Sequence, residues 1–463
     1  MGNLYEKRNK IVIPFLIAAF IGLFNETALN MAFVEIGKGF GIEPSTVQWL
    51  TTGYLLILGV FVPVSSFLMQ RFTTRQLFGA SLSLSIIGTL IAAIAPSFSV
   101  LFIARIFQAL GTAIILPLMM TVILMVYPVE KRGAAMGKIG LVIVFAPAIG
   151  PTLAGVILEN FTWHFIFWVT IPFLLIAIFV GLKFIENVSE VQPTKLDVFS
   201  FILSTIGFGG VVYGFSISGE LGSFMTTEVY IAVGIGLVAL LLFAIRQFKL
   251  ETPMLNLKVF KYPMYTLGLL IILAVMMTLL SVMVLLPIYL QNALLLAPMM
   301  AGLLLLPGGV VNALLSVVAG NLFDKYGPKL MVPVGLGLTI ISLIFLSMIG
   351  TDTSNLTIII MHILLLIGLS FIMMPAQTNG LNQLPRELYT DGTAIMNTLQ
   401  QVAGAIGTAI AVTVMSITAN GYENPLTGLV EGVQNSILLG LIISVVAFVL
   451  SFFIKRVSTV QGH

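Results

Sequence analysis

Glu26 and Arg105 are the residues in this chain whose chemistry fits least easily with their surroundings. The acid stands in the run LIAAFIGLFNETALNMAFV and the base in VLFIARIFQALGTAIILPLMM. An ionised side chain in hydrocarbon costs about 3 kcal/mol or more, so such a residue faces a cavity or a partner and marks a proton or substrate path. At 1.5 Å per residue, Glu26 lies roughly 22 Å from the start of its run, about 8 Å from the outer edge of a ~30 Å core, and Arg105 roughly 9 Å from the same edge. Desolvation favours the neutral acid and a nearby guanidinium favours the carboxylate. A change in their distance would therefore take up or release a proton, and proton coupling is the chemistry expected of this pair. The alternatives are a Glu26 that faces water at the mouth or stays paired with Arg105, and an Arg105 that only snorkels to the interface. His362 is a further intramembrane titratable group, read as hydrogen-bonded between helices rather than as a relay.

Other chemistries are poorly supplied. The chain has no cysteine and three histidines, so disulfides, thiolate catalysis and Cys-based metal sites are excluded and no metal is expected. No Gly-x-x-x-x-Gly-Lys-Ser/Thr loop points to nucleotide-driven work, and no convergent catalytic set points to an enzyme. A polar set suits the lining of a central cavity: Asn30, Gln48, Trp49, Thr52, Tyr54, Gln108, Asn312, Gln377, Asn379, Asn397, Gln400 and Gln401. The 33 Phe and 22 Met suit a pliable apolar pocket, and equally suit surfaces that simply face lipid.

The elements that must position these residues follow from composition. Of 463 residues 59% are hydrophobic and 8% charged, with a mean hydropathy of +1.11; soluble domains carry roughly 25% charge. Most elements must face lipid, where backbone groups are bonded internally, and the long non-alternating runs select helices over barrel strands. Apolar spans are expected at 10–36, 47–69, 76–95, 98–126, 133–158, 163–185, 197–218, 228–247, 263–291, 298–323, 329–350, 355–376, 391–418 and 434–455. The first is too long for a signal peptide and is expected to be retained. Fourteen spans put both termini on one side. Of the 21 basic residues, all but Lys38 and Arg105 fall at the loops of that side, which the positive-inside rule makes cytoplasmic. The basic excess is thus a topology signal, and no nucleic-acid partner is expected.

Polar stretches at Glu186–Lys195 and Arg246–Tyr262 divide the chain into a six-helix bundle (1–190), two inserted helices (191–250) and a second six-helix bundle (251–463). An internal repeat accompanies this: SFLMQRFTTR at 66–75 aligns with GNLFDKYGPK at 320–329, so that Arg71 meets Lys325 and Arg75 meets Lys329. A passive channel would show subunit symmetry rather than two divergent halves.

Four segments carry a family resemblance. The second-half loop keeps the pattern Gly-x-Leu-x-Asp-Arg-x-Gly-Arg-Arg as Gly320, Leu322, Asp324, Lys325, Gly327 and Lys329. The first-half loop keeps Arg71 and Arg75 but has Ser66, Gln70 and Thr73 in place of the leading Gly, the Asp and the second Gly. Its charge-based latch is therefore lost, although Gln70 retains hydrogen-bonding capacity; a loop serving topology alone is the alternative. Arg105, Gln108 and Gly111 match a fourth-span pattern, and Ala146, Pro147, Gly150, Pro151 and Gly155 match the fifth-span pattern that separates exporters from uptake systems. In the first span the family's Asp is Asn25 once Asn30 is aligned, and the carboxylate follows at Glu26, about 100° around the helix. The chain resembles the major facilitator superfamily, specifically the fourteen-span drug:proton antiporters of the EmrB/QacA type, and is most similar to lincomycin-resistance-type exporters. The resemblance implies a monomeric inner-membrane protein of a bacterium, exporting lipophilic or cationic drug-like compounds by alternating access. It further implies exchange for protons, with no cofactor beyond the proton-motive force. Proton-coupled uptake or export of a specific metabolite is the rival reading.

Overall fold

The computed structural model describes residues 2–42, 44–188, 197–221, 223–251, 253–296 and 298–457. Residues 189–196, which include Lys195, and the side chains of Gln48, Thr52 and Pro151 lie outside the described residues. The helices are α1 (Gly2–Ala28), α2 (Phe33–Phe40), α3 (Pro44–Arg71), α4 (Thr74–Ala93), α5 (Phe98–Val126), α6 (Arg132–Asn160) and α7 (His164–Phe184). They continue as α8 (Val198–Leu221), α9 (Thr227–Lys249), α10 (Pro263–Asn292), α11 (Pro298–Tyr326), α12 (Pro328–Leu346), α13 (Asn355–Asn382), α14 (Tyr389–Ala419) and α15 (Pro425–Ser451). Among the described residues thirteen segments are long and apolar enough to cross a membrane, and α3, bent by 53° between Trp49–Phe61 and Val64–Arg71, makes fourteen when taken as one span. With that span counted, the start of α1 and the end of α15 lie on one face of the bundle, here the terminal face; the opposite one is the far face.

Local chemistry sets the ends. α5 runs over Phe98–Val126 because Ser97, in extended conformation, accepts from the Val100 N–H at its start, the usual N-cap role of serine. α15 begins at Pro425 rather than near 434, since Asn424 accepts from the N–H groups of Leu426 and Thr427 and Pro425 is pre-set for a first helical turn. The first span is not one rod: a 3₁₀ turn at Leu29–Ala32 separates α1 from α2, immediately after the residues of chemical interest.

The packing repeats. α1 packs on α5, α6 and α7, α5 on α3 and α4, and α4 on α7. In the second half α10 packs on α13, α14 and α15, α13 on α11 and α12, and α12 on α15, so each contact has its counterpart. The halves meet along two seams, α3 against α14 and α6 against α11, which are also counterparts. α8 and α9 pack on each other, and α8 lies against both α3 and α14. The chain forms two six-helix bundles with an inserted helix pair, the architecture that the resemblance implies.

Candidate functional site

Arg105 is fully buried. Its Nη1 donates to the Asn25 backbone carbonyl and to Gln108 Oε1, both at 3.0 Å, and its Nε to the Leu50 carbonyl at 3.3 Å. Its guanidinium carbon stands 4.3 Å from the centre of the Tyr54 ring, an attraction that gains strength when desolvated. The planar fork lets one side chain bridge α1, α3 and its own helix α5. Around it Tyr54 donates to Thr112 Oγ1 at 2.8 Å and Gln108 Nε2 to Thr89 Oγ1 at 3.0 Å. Two polar atoms of this cluster have no hydrogen-bond partner, Arg105 Nη2 and Asn25 Oδ1. Glu26 is half-buried beside them and feels the Arg105 charge, yet among the described residues no ion pair joins the two within contact distance. The expected Glu26–Arg105 encounter is thus a neighbourhood rather than a salt bridge: the guanidinium bonds the Asn25 and Leu50 carbonyls and Gln108 Oε1 and leaves Nη2 free.

The fifth-span segment presses on this same stretch of α1. Pro151 has no N–H, so the Pro147 carbonyl lacks its helical donor, and Thr27 Oγ1 lies 3.3 Å from it. Gly150 leaves room for the α1 backbone: a Cβ there would stand 3.3 Å from the Ala28 nitrogen. Gly155, further along α6, faces open space.

At the terminal face the two loops close on the opposite half. Asp324, at the end of α11, accepts from the Gly133 and Ala134 N–H groups at 2.9 Å each, a carboxylate on the positive N-terminus of α6. Gly137 and Gly320 bring α6 and α11 together; a Cβ on Gly137 would lie 2.6 Å from the Ser316 carbonyl. Gly327 turns the chain at φ +74°, and Arg456 donates to the Asp324 and Lys325 carbonyls beside it. Lys329 is exposed. In the first half Ser66 and Gln70 donate to Asp391 of α14 at 2.7 and 3.4 Å. Arg71 is exposed at the end of α3, and the Arg75 N–H donates to Asn187 at 3.2 Å.

The remaining cavity candidates scatter. Asn397 and Gln377 both donate to the sulfur of Met120, at 3.2 and 3.4 Å, joining the halves, and Gln377 Oε1 is buried without a partner. Asn312 accepts from Ser370 at 2.6 Å within the second half. Asn30 is exposed at the far face and accepts from Thr51 at 2.7 Å. Trp49 packs its ring on Tyr213 of α8 at 6.1 Å, and Gln401 is half-buried on α14. Asn379 holds the C-terminal segment, donating to the Lys455 carbonyl at 3.0 Å. His362 is buried against Gly308 with Nδ1 unpartnered.

Arg132 is a residue that sequence reading missed. Counted only as a topology charge, it is buried and donates to Asn382 and Tyr389 of the other half at 3.0 Å each. Nothing in its local sequence distinguishes it from Lys131, which is exposed. The inserted pair has its own polar clasp: Arg246 binds Asp197 through two bonds of 2.7 and 2.9 Å, which holds the Asp197 carboxyl down at about 2. Beside it Gln247 donates to Ser200 and accepts from the Met254 and Leu255 N–H groups of the following linker.

Comparison with known proteins agrees with this architecture. The chain is 55% identical over 455 residues to the lincomycin resistance protein LmrB of Listeria innocua serovar 6a, covering 96% of each. It is 54% identical over 458 residues to the protein of the same name from Bacillus subtilis strain 168, again covering 96% of each. The crystal structure of the human organic anion transporter MFSD10 (TETRAN) superposes with a TM-score of 0.68 at 11% identity, over 94% of this chain and 99% of that one. The Major Facilitator Superfamily profile matches residues 15–408, and the chain belongs to that superfamily of transporters.

Proposed function

We propose that this protein exports small lipophilic or cationic drug-like compounds across a bacterial cytoplasmic membrane in exchange for protons. The relatives named for lincomycin resistance support the cargo class. The clustering of basic residues at the terminal face supports its placement in the cytoplasm. Every hydrogen bond between the two six-helix halves described above lies toward that face, so this conformation is closed to the cytoplasm. The protein works as a monomer, since the two halves enclose the pathway between them, and the proton-motive force is its only driver.

One observation carries the coupling: Arg105 keeps a buried nitrogen, Nη2, without a partner while Glu26 stands close by and unpaired. Ionised Glu26 pairs with that nitrogen; protonated Glu26 releases it to the cavity. A cationic or polar substrate group competes with the proton for the same acid, which is the condition for exchange. Glu26→Gln tests this in everted vesicles. The variant is expected to be made and inserted normally and to lose proton-driven transport; full transport by it would refute the assignment.

A further inference from the structure

The two seams between the halves are counterparts in the repeat, yet they are not equally covered. Over the α3/α14 seam lies α8: Phe208, Val211 and Val212 pack with Leu56, Leu399 and Val402. The Trp49–Tyr213 ring contact and a 3.5 Å bond from Thr413 to the Ser218 carbonyl continue this cover toward the far face. Among the described residues neither α8 nor α9 packs substantially on α6 or α11.

The uncovered seam is tight at one end and open at the other. At about 100° per residue, Gly133, Gly137, Gly140 and Gly155 share one stripe of α6, while Gly302 and Gly320 share one stripe of α11. At the terminal end the stripes touch: a Cβ on Gly140 would stand 3.2 Å from Ser316 Cβ. At the far end a Cβ on Gly155 or Gly302 would meet nothing within 4 Å among the described residues.

We infer that the far-face part of the α6/α11 seam is a lateral portal through which lipophilic cargo passes from between the two halves into the bilayer, and that α8 seals the matching route at α3/α14. The inference rests on the export reading for its cargo. Its geometry rests on the seams alone. A molecule that partitions into lipid leaves more readily into acyl chains than into water, so an apolar side exit suits it and an aqueous mouth does not.

The natural absence of cysteine makes the test direct. Single cysteines at Gly155 and Gly302, and at Leu56 and Leu399 under α8, are treated in membranes with a bulky lipid-soluble maleimide. Labelling is expected at the first two and not at the second two; labelling at Leu56 or Leu399 would overturn the seal. Efflux of a lipophilic dye is expected to fall about tenfold or more, at least 1.4 kcal/mol of barrier, in labelled Gly155→Cys and Gly302→Cys. A small methylthio adduct on Gly302→Cys, and the bulky adduct on Leu314→Cys, which is exposed outside the seam, are expected to leave it within about twofold. Full efflux by stoichiometrically labelled Gly302→Cys would sink the portal. Absence of efflux from the unlabelled chain would instead count against the export reading, with the labelling pattern still reporting on the seams.

Discussion

Ser66 of α3 donates its hydroxyl proton to Asp391 of α14 across 2.7 Å, joining residues 325 positions apart. The acid that the first-half loop lacks at Gln70 is thereby present, but on the opposite half. The second-half loop has its acid in place at Asp324, facing the N-terminus of α6. Both α3/α14 and α6/α11 are thus closed at the terminal face by one carboxylate, mounted on span two in one case and on span five in the other.

Placing a second acid at position 70 sets two carboxylates against each other. At about 4 Å and an effective dielectric near 20 the repulsion is about 4 kcal/mol. Gln70→Asp should lower export at least tenfold, and Gln70→Asp combined with Asp391→Asn should restore most of it. Drug-susceptibility titration in a pump-deficient host reads both, and failure of the double variant to recover would show that the contact is not what closes this seam.

Arg105→Lys keeps the charge and loses the fork. An ammonium cannot serve the Asn25 and Leu50 carbonyls and Gln108 together, and each buried acceptor left unpaired costs about 1–3 kcal/mol. Thermal unfolding in detergent should shift down, and transport should fall by more than the loss of folded protein accounts for. Wild-type transport at wild-type stability would show that the bridge from α5 to α1 and α3 is dispensable.

Gly137→Ala puts a methyl group where 2.6 Å separates it from the Ser316 carbonyl. Overpacking of this kind costs about 1–3 kcal/mol, charged only to the conformation in which α6 and α11 touch. Spin labels on the exposed Lys131 and Lys325 should report a larger population of long distances. An unchanged distribution would mean that the backbone gives way locally.

The Asp197–Arg246 clasp carries a pH signature. Its folded value, down at about 2, lies below the unfolded carboxylate value near 4, so the folded state binds the proton more weakly. The clasp stabilises at pH above about 4, and that contribution disappears as pH falls through about 2. The difference in melting temperature between wild type and Asp197→Asn should be constant from neutral pH to about 5 and shrink below it. Because the pair is partly exposed, the difference is expected to be small and reduced by salt; a difference that grew on acidification would contradict the linkage.

The helices were legible in the sequence because hydropathy and caps are local properties. Phe98–Val126 agrees at both ends, with Ser97 visible as a cap, whereas α15 starts early because Asn424 and Pro425 outweigh the polar Glu431 and Gln434 that follow. The family resemblance was legible too. The partners of Arg105 were not: two of them are backbone carbonyls, which have no side-chain signature. Nor were Asp391 with Ser66, or Arg132 with Asn382 and Tyr389, whose pairing depends on how two halves meet and not on either half alone.

The position of α8 also orders the making of the protein. It is synthesised before any helix of the second half, yet the α14 side of its seat is completed only when Thr413 arrives 195 residues after Ser218. Until then Phe208, Val211 and Val212 are covered by α3, by Leu240 of α9 and by lipid, and their α14 neighbours Leu399 and Val402 are still to come. Seating α14 against α8 therefore follows the synthesis of the whole first half, the inserted pair and four helices of the second half.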